Sequence, residues 1–172
     1  GGFNGLDVRE KEPFNHPRQL TSDATETTSY AFFSLKKALD MASDPEYVEM
    51  NLASMPGVVN EDLTKRLIDI CEERGDALAI IDPRGGYTPN TENTLSEQNR
   101  TSTTAAKEVV DNLVARNINS SYAAAYFPWV QIRDSLRGNL VYVPPSVVAL
   151  GILGSSETKS AVWFAPAGFN RG

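Results

Sequence analysis

Hydrophobic and polar positions change period along this chain, and each change marks an element. Gly1 to Leu20 carries little periodicity and is broken by Pro13 and Pro17, so it reads as a loop or edge segment. A Ser/Thr/Asp/Glu cluster from Thr21 to Ser29 supplies N-cap residues, Thr28 among them. Ala31, Phe32, Leu35, Ala38, Leu39 and Ala42 then recur at helical spacing until Asp44-Pro45 ends the run. Val48, Met50 and Leu52 alternate with Glu49, Asn51 and Ala53, which predicts a half-buried strand, and Met55-Pro56-Gly57 turns the chain out of it. Asn60 is placed to cap a second helix, with Glu61 and Asp62 in its first turn. Leu63, Leu67, Ile68, Ile70 and Cys71 form that helix's apolar side; Arg74 and Gly75 end it. Ala77 to Ile81 is continuously apolar, as a strand covered on both faces requires.

The period is lost from Asp82 to about Ser102, and residues 84–102 are expected to form a mobile loop. It returns between Thr103 and Asn117, where Ala106, Val109, Val110, Leu113 and Val114 predict a third helix. Tyr122 to Phe127 reads as a buried strand stopped by Pro128, which has no N–H to donate. Trp129, Val130 and Ile132 continue an apolar face. A turn over Asp134 to Asn139, with Gly138 free to take positive φ, leads to a further strand at Leu140–Val143. Pro144-Pro145-Ser146 opens a short helix over Val147 to Ile152, which Gly151 and Gly154 are expected to close. Helix, strand, helix, strand, helix, strand predicts parallel pairing by crossovers. The expected fold is a single α/β domain over residues 1–172: three layers, a mainly parallel sheet, and added edge strands near the C-terminus.

Composition narrows the function classes. The 172 residues, 41% hydrophobic and 22% charged, suit one globular domain with a proper core. A net charge of −6 argues against nucleic acid as the main partner. The charge is uneven: residues 1–100 hold 10 basic and 18 acidic side chains, residues 101–172 hold 6 and 4. Such asymmetry suits contact between copies or with another protein. Cys71 is the single cysteine, so no intrachain disulfide is possible, and its apolar stripe makes it a small core residue. No apolar run reaches the roughly 18 residues of a membrane span. With no secretory leader or disulfide requirement, intracellular synthesis and no membrane partner are expected.

Bond chemistry finds little footing. Asp82-Pro-Arg-Gly-Gly-Tyr87 follows the central strand, where α/β folds bind ligands, and its glycines and Arg84 could admit an anion. A turn that merely leaves the strand explains those glycines equally well. The chain has no P-loop, dinucleotide fingerprint or nucleophile elbow, and His16, its only histidine, sits in a proline-flanked loop. No Cys/His cluster suggests a metal, and no cofactor is implied. Trp129 and Trp163 read either as core anchors or as contacts between subunits.

Several short motifs resemble one family. Tyr126-Phe-Pro-Trp-Val130, Val143-Pro-Pro-Ser-Val-Val-Ala-Leu-Gly-Ile152 and Val162-Trp-Phe-Ala-Pro-Ala-Gly168 stand in the order and spacing of the tail sheath proteins of contractile bacteriophages. Gly1-Gly-Phe-Asn-Gly5, Met50-Asn-Leu-Ala-Ser-Met-Pro-Gly57 and Ala79-Ile-Ile-Asp-Pro83 extend the likeness over most of the chain. Val147 replaces an expected small residue and Phe164 a usual polar one, without breaking the backbone logic of either motif. The resemblance implies a virion structural subunit with a central domain likened in fold to subtilisin, though that likeness carries no triad. It also implies helical rings of sheath subunits around a tail tube, a baseplate partner, assembly in the host cytoplasm, and contraction that drives the tube through the host envelope. Pro128, Trp129, Pro144, Pro145, Ser146, Trp163 and Pro166 become family-motif or interface candidates. Members of that family continue past Ala-Pro-Ala-Gly into a strand-exchanging assembly domain, so residues 1–172 are expected to be a fragment lacking it. The alternative from another class is a small-molecule-binding or hydrolytic α/β enzyme using the Asp82–Tyr87 loop.

Overall fold

The computed structural model describes residues 26–85, 102–161 and 163–168. A 3-10 turn at Glu26–Thr28 leads into α1, Tyr30–Ala42, whose N-cap is Ser29: its hydroxyl oxygen accepts from the Phe32 N–H at 3.2 Å. Ala31, Phe32 and Leu39 of the predicted stripe are buried, whereas Ala38 is exposed, so the covered face is narrower than expected. Strand β1 is short, Leu52–Ser54. Its parity differs from the predicted alternation: Ala53 is buried in the core and Leu52 lies on the exposed side. A bend at Asn51 breaks the count between Met50, which packs on the core, and the strand proper.

Helix α2, Glu61–Arg74, has the expected ends. Asn60 Oδ1 accepts from the Leu63 N–H at 3.0 Å, and Gly75 caps the other end in the left-handed region at φ 71°. Leu63, Leu67, Ile68, Ile70 and Cys71 are all buried, with Thr64 added. Full burial of side chains such as Leu63 and Ile70 stabilises the fold by roughly 1.5–3 kcal/mol each. The helix packs on β1 and on β2, Leu78–Ile81, and α1 lies against it. Helix α3, Ser102–Ala115, then leads to β3, Ala123–Ala125.

These three strands form a parallel sheet in the order β1-β2-β3, with Ala53 opposite Ala79 and Ile80 opposite Ala124. The chain is therefore an α/β domain with a mainly parallel sheet, and β2 is its central strand. The predicted strand from Tyr122 to Phe127 is correct only in its middle. Tyr126 and Phe127 are exposed, because β3 is the last strand of its sheet and coverage falls off beyond it. On α3, Val109 is buried but Val110 and Val114 are exposed, against the expected stripe: one narrow face meets the rest of the fold.

The C-terminal strands pair with each other. β4, Val130–Arg133, and β5, Leu140–Val143, make an antiparallel hairpin with Val130 opposite Val143 and Ile132 opposite Val141. Its turn is the predicted one. Gly138 sits at φ 72°, and the Asp134 N–H donates to the Asn139 carbonyl at 2.8 Å. Helix α4 runs from Pro145 to Lys159, well beyond the expected stop at Gly151 and Gly154. Neither glycine takes positive φ, and a single glycine costs an α-helix only about 1 kcal/mol. Residues 86–101, most of the expected mobile loop, and the Gly1–Leu20 segment with His16 lie outside the described residues.

Candidate functional site

The C-terminal ends of parallel strands are where an α/β sheet leaves a crevice. Here that position is taken by a side chain of the protein itself. Asp82, the first residue after β2, is 1% exposed. Its Oδ1 accepts from the Ser146 backbone N–H at 3.0 Å; its Oδ2 accepts from the Ser146 hydroxyl at 2.7 Å and from the Gly57 N–H at 3.0 Å. Buried carboxylates are stable only when paired or hydrogen-bonded, and charge-assisted bonds of this kind are worth about 1.5–3 kcal/mol each.

The local sequence explains why Ser146 needs Asp82. Pro144 is the N-cap of α4 and offers no side-chain acceptor. Pro145 at the first helical position has no N–H to satisfy. The first open donor of the helix is therefore Ser146, which is fully buried. Its acceptor arrives from 64 residues earlier in the chain. A negative charge at this end also complements the helix dipole. Gly57 reaches the same point at φ 78°, with its α-carbon facing Pro144: a Cβ there would stand 3.5 Å from the proline Cγ.

The exit from β2 continues tightly under α3. Gly85 has φ 92°, and a Cβ on it would come within 3.2 Å of Val109 Cγ2. Gly86 and Tyr87, the remainder of the anion-loop candidate, lie outside the described residues. What the described part of that segment holds is an anion, the Asp82 carboxylate, already bound by backbone N–H groups.

Two arginines tie the helices together. Arg74, with its side chain 1% exposed, makes a two-pronged pair with Asp76 at 2.8 and 2.9 Å. It also donates to the carbonyls of Ala42 and Val48, both at 2.8 Å, placing a cation at the last turn of α1. The hydrogen bonds from Arg74 hold the Asp76 carboxyl below its ordinary range and raise the guanidinium. Arg116, just past α3, donates to Thr64 Oγ1 at 2.7 Å and to the Glu61 carbonyl at 3.2 Å; burial pushes its guanidinium down. Burial likewise pushes the Cys71 thiol up, as a core position requires.

A groove of about 570 Å³ opens between the end of α3 and β3, lined by Leu113, Val114, Ile118 and Ala123 to Ala125 among others. None of its lining side chains is titratable. Among the described residues no cluster of His, Cys, Asp and Glu could hold a metal ion, and no helix is long and apolar enough to cross a membrane.

The motif residues separate into two groups. Ser146 bonds Asp82, and Pro144 and Pro145 precede it at the start of α4. Trp129 is buried, next to Pro128, which is exposed and follows a cis peptide bond. Trp163 is 77% exposed and stacks on Phe164 with ring centroids 4.4 Å apart; Pro166 is half-buried nearby in sequence. Sequence reasoning did not assign Asp82 or Gly57 to this contact. The available signal was a Pro-Pro-Ser helix start with no acceptor of its own, together with a buried strand that ends in a carboxylate. Comparison with protein-family models and with curated proteins finds no match for this sequence.

Proposed function

We propose that this chain is the central domain of a contractile tail sheath subunit, a structural protein and not an enzyme. One observation carries the reading. Three of the segments that resemble the family, Met50–Gly57, Ala79–Pro83 and Val143–Ile152, are distant in sequence and converge on one buried contact through Gly57, Asp82 and Ser146. Motifs that serve one joint are expected to occur together, and the meeting of these three segments supports the reading. The joint fastens α4 to the parallel sheet, so the two can move as one body. In a sheath, work comes from subunits shifting between two packed arrangements of unequal free energy, with no cofactor and no bond made or broken. The partners under this reading are other sheath subunits, the tail tube and the baseplate, and the working location is the virion tail after assembly in the host cytoplasm.

The complete product of the reading frame that encodes these residues tests the proposal. Expressed alone or with its tube protein, it should form long hollow tubes by electron microscopy. Absence of any tubular polymer overturns the reading, as does turnover of an ester, peptide or nucleotide that disappears in Arg84→Ala.

A further inference from the structure

Two exposed surfaces of this chain carry apolar side chains beside charges of opposite sign. The first is the β4–β5 hairpin. Its register places Val130, Ile132, Val141 and Val143 on one face, and the outer pair is open to solvent, Ile132 at 39% and Val141 at 38%. Leu140 is 62% exposed and Leu136, at the turn, 94%. Arg133 stands opposite Leu140 on the other face and Arg137 lies in the turn; both are exposed, neither is in an ion pair among the described residues, and Asp134 between them accepts from the Leu136 N–H. Apolar side chains exposed together on a hairpin that also carries cations mark a candidate contact surface.

The second surface is the end of α1 and the segment after it. Met41 is 54% and Tyr47 72% exposed. Asp44, Glu46 and Glu49 surround them in sequence; all three are exposed and none is in an ion pair among the described residues. From Asp40 to Glu49 the chain carries four acidic side chains and no basic one; Asp40 is paired with Arg66 at 3.0 Å, which leaves Asp44, Glu46 and Glu49 to face a partner. Arg74 fixes this segment by bonding the Ala42 and Val48 carbonyls, so the acidic surface is held in place.

We propose that the hairpin of one copy docks on the acidic α1 end of a second copy. The two surfaces belong to different parts of the chain; used once per pair, the contact runs head-to-tail and repeats into a ring or open helix, and only reciprocal use by two copies would close a dimer. It deepens the sheath reading, on which it rests for its biological setting. Contacts that bury less than roughly 1,000 Å² are weak, and a single hairpin contact is expected to fall in that class. Its opposite charges make it dependent on salt.

Cysteine trapping suits such a contact, because Cys71 is buried and stays out of the reaction. Ser135→Cys at the hairpin turn and Pro45→Cys beside the acidic segment leave Leu136 and Tyr47 in place. One variant carries a mass tag, and the mixture is oxidised gently. Mixed dimers of these two should form about tenfold faster than those of Ser135→Cys with the exposed control Thr158→Cys, and the excess should vanish as salt rises from about 50 to about 500 mM. Adding Arg133→Glu and Arg137→Glu to the hairpin variant should abolish it, and Glu46→Arg with Glu49→Arg in the other variant should restore it. Equal rates with the control overturn the proposal, as does failure of the double reversal to restore trapping; either points to a different partner for the hairpin. Tubes without trapping would leave the sheath reading standing and remove this contact; trapping without tubes would do the reverse.

Discussion

Asp82 accepts a backbone N–H on each carboxylate oxygen, Ser146 on one and Gly57 on the other. Asparagine at this position must therefore turn its NH₂ toward one of two N–H groups, whichever way the amide lies. Asp82→Asn should cost more than Ser146→Ala, which removes one donor and leaves both backbone bonds; the expected losses are about 3 and about 1.5 kcal/mol. Urea unfolding followed by tryptophan fluorescence ranks them, and the reverse order would count against the joint as described. Asp76 offers a separate test by pH. Its carboxyl is held below the ordinary value of 3.8 by Arg74. The stability this pair contributes is present above that value and is lost as pH falls through the lower value of the folded state. Asp76→Asn should flatten the acid limb of the stability curve while leaving its slope near neutral pH unchanged. Residue chemistry of this kind was only partly legible. Asn60, Gly75 and Cys71 act locally or on their own stripe, so spacing alone found them. Asp82 acts across the fold, and nothing adjacent to it in sequence signals its partner.

Elements were legible in kind and less so in extent. Ala77 to Ile81 had to be a covered strand, and β2 is the centre of the sheet with Ala79 and Ile80 fully buried. The strand at Val48 to Leu52 was placed by alternation, but the bend at Asn51 shifted which side chains face inward. Helix α4 ran past two glycines because each lowers helix stability slightly without forbidding it. That makes a direct prediction. At Gly151 and Gly154 an added Cβ meets nothing within 4 Å and φ is ordinary. Gly151→Ala and Gly154→Ala should therefore each stabilise the protein, by about 0.5–1 kcal/mol, and should raise the helical signal in circular dichroism. Gly57→Ala, at φ 78°, should instead lose about 1–2 kcal/mol.

For the whole molecule, the alternation of helices and strands predicted the parallel sheet, since each parallel pair needs a crossover long enough to hold a helix. The pairing of β4 with β5 follows from their short turn, which favours antiparallel neighbours over insertion into the parallel sheet. The exposed positions were the hard part. Val110 and Val114 belong to a stripe that the pattern assigns to a core, and Trp163 reads either as a core anchor or as a contact, yet all three lie on the surface. Periodicity reports that a residue avoids water but not whose surface it meets. With contacts this small, the isolated chain is expected to sediment as a monomer or a weakly associating species.

The contact that joins Gly57, Asp82 and Ser146 also has a consequence in time. Its donors lie 25 and 64 residues from the acceptor, so closing it requires large loops, whereas the caps of α2 form within a few residues. Interactions of that span are expected to be absent from the folding transition state and present only in the finished fold. Ser146→Ala should then leave the refolding arm of a stopped-flow chevron almost unmoved and accelerate the unfolding arm by about tenfold, from a loss near 1.5 kcal/mol. A buried aspartate that looks like a stabiliser in the static structure would thus set chiefly how long the folded chain lasts.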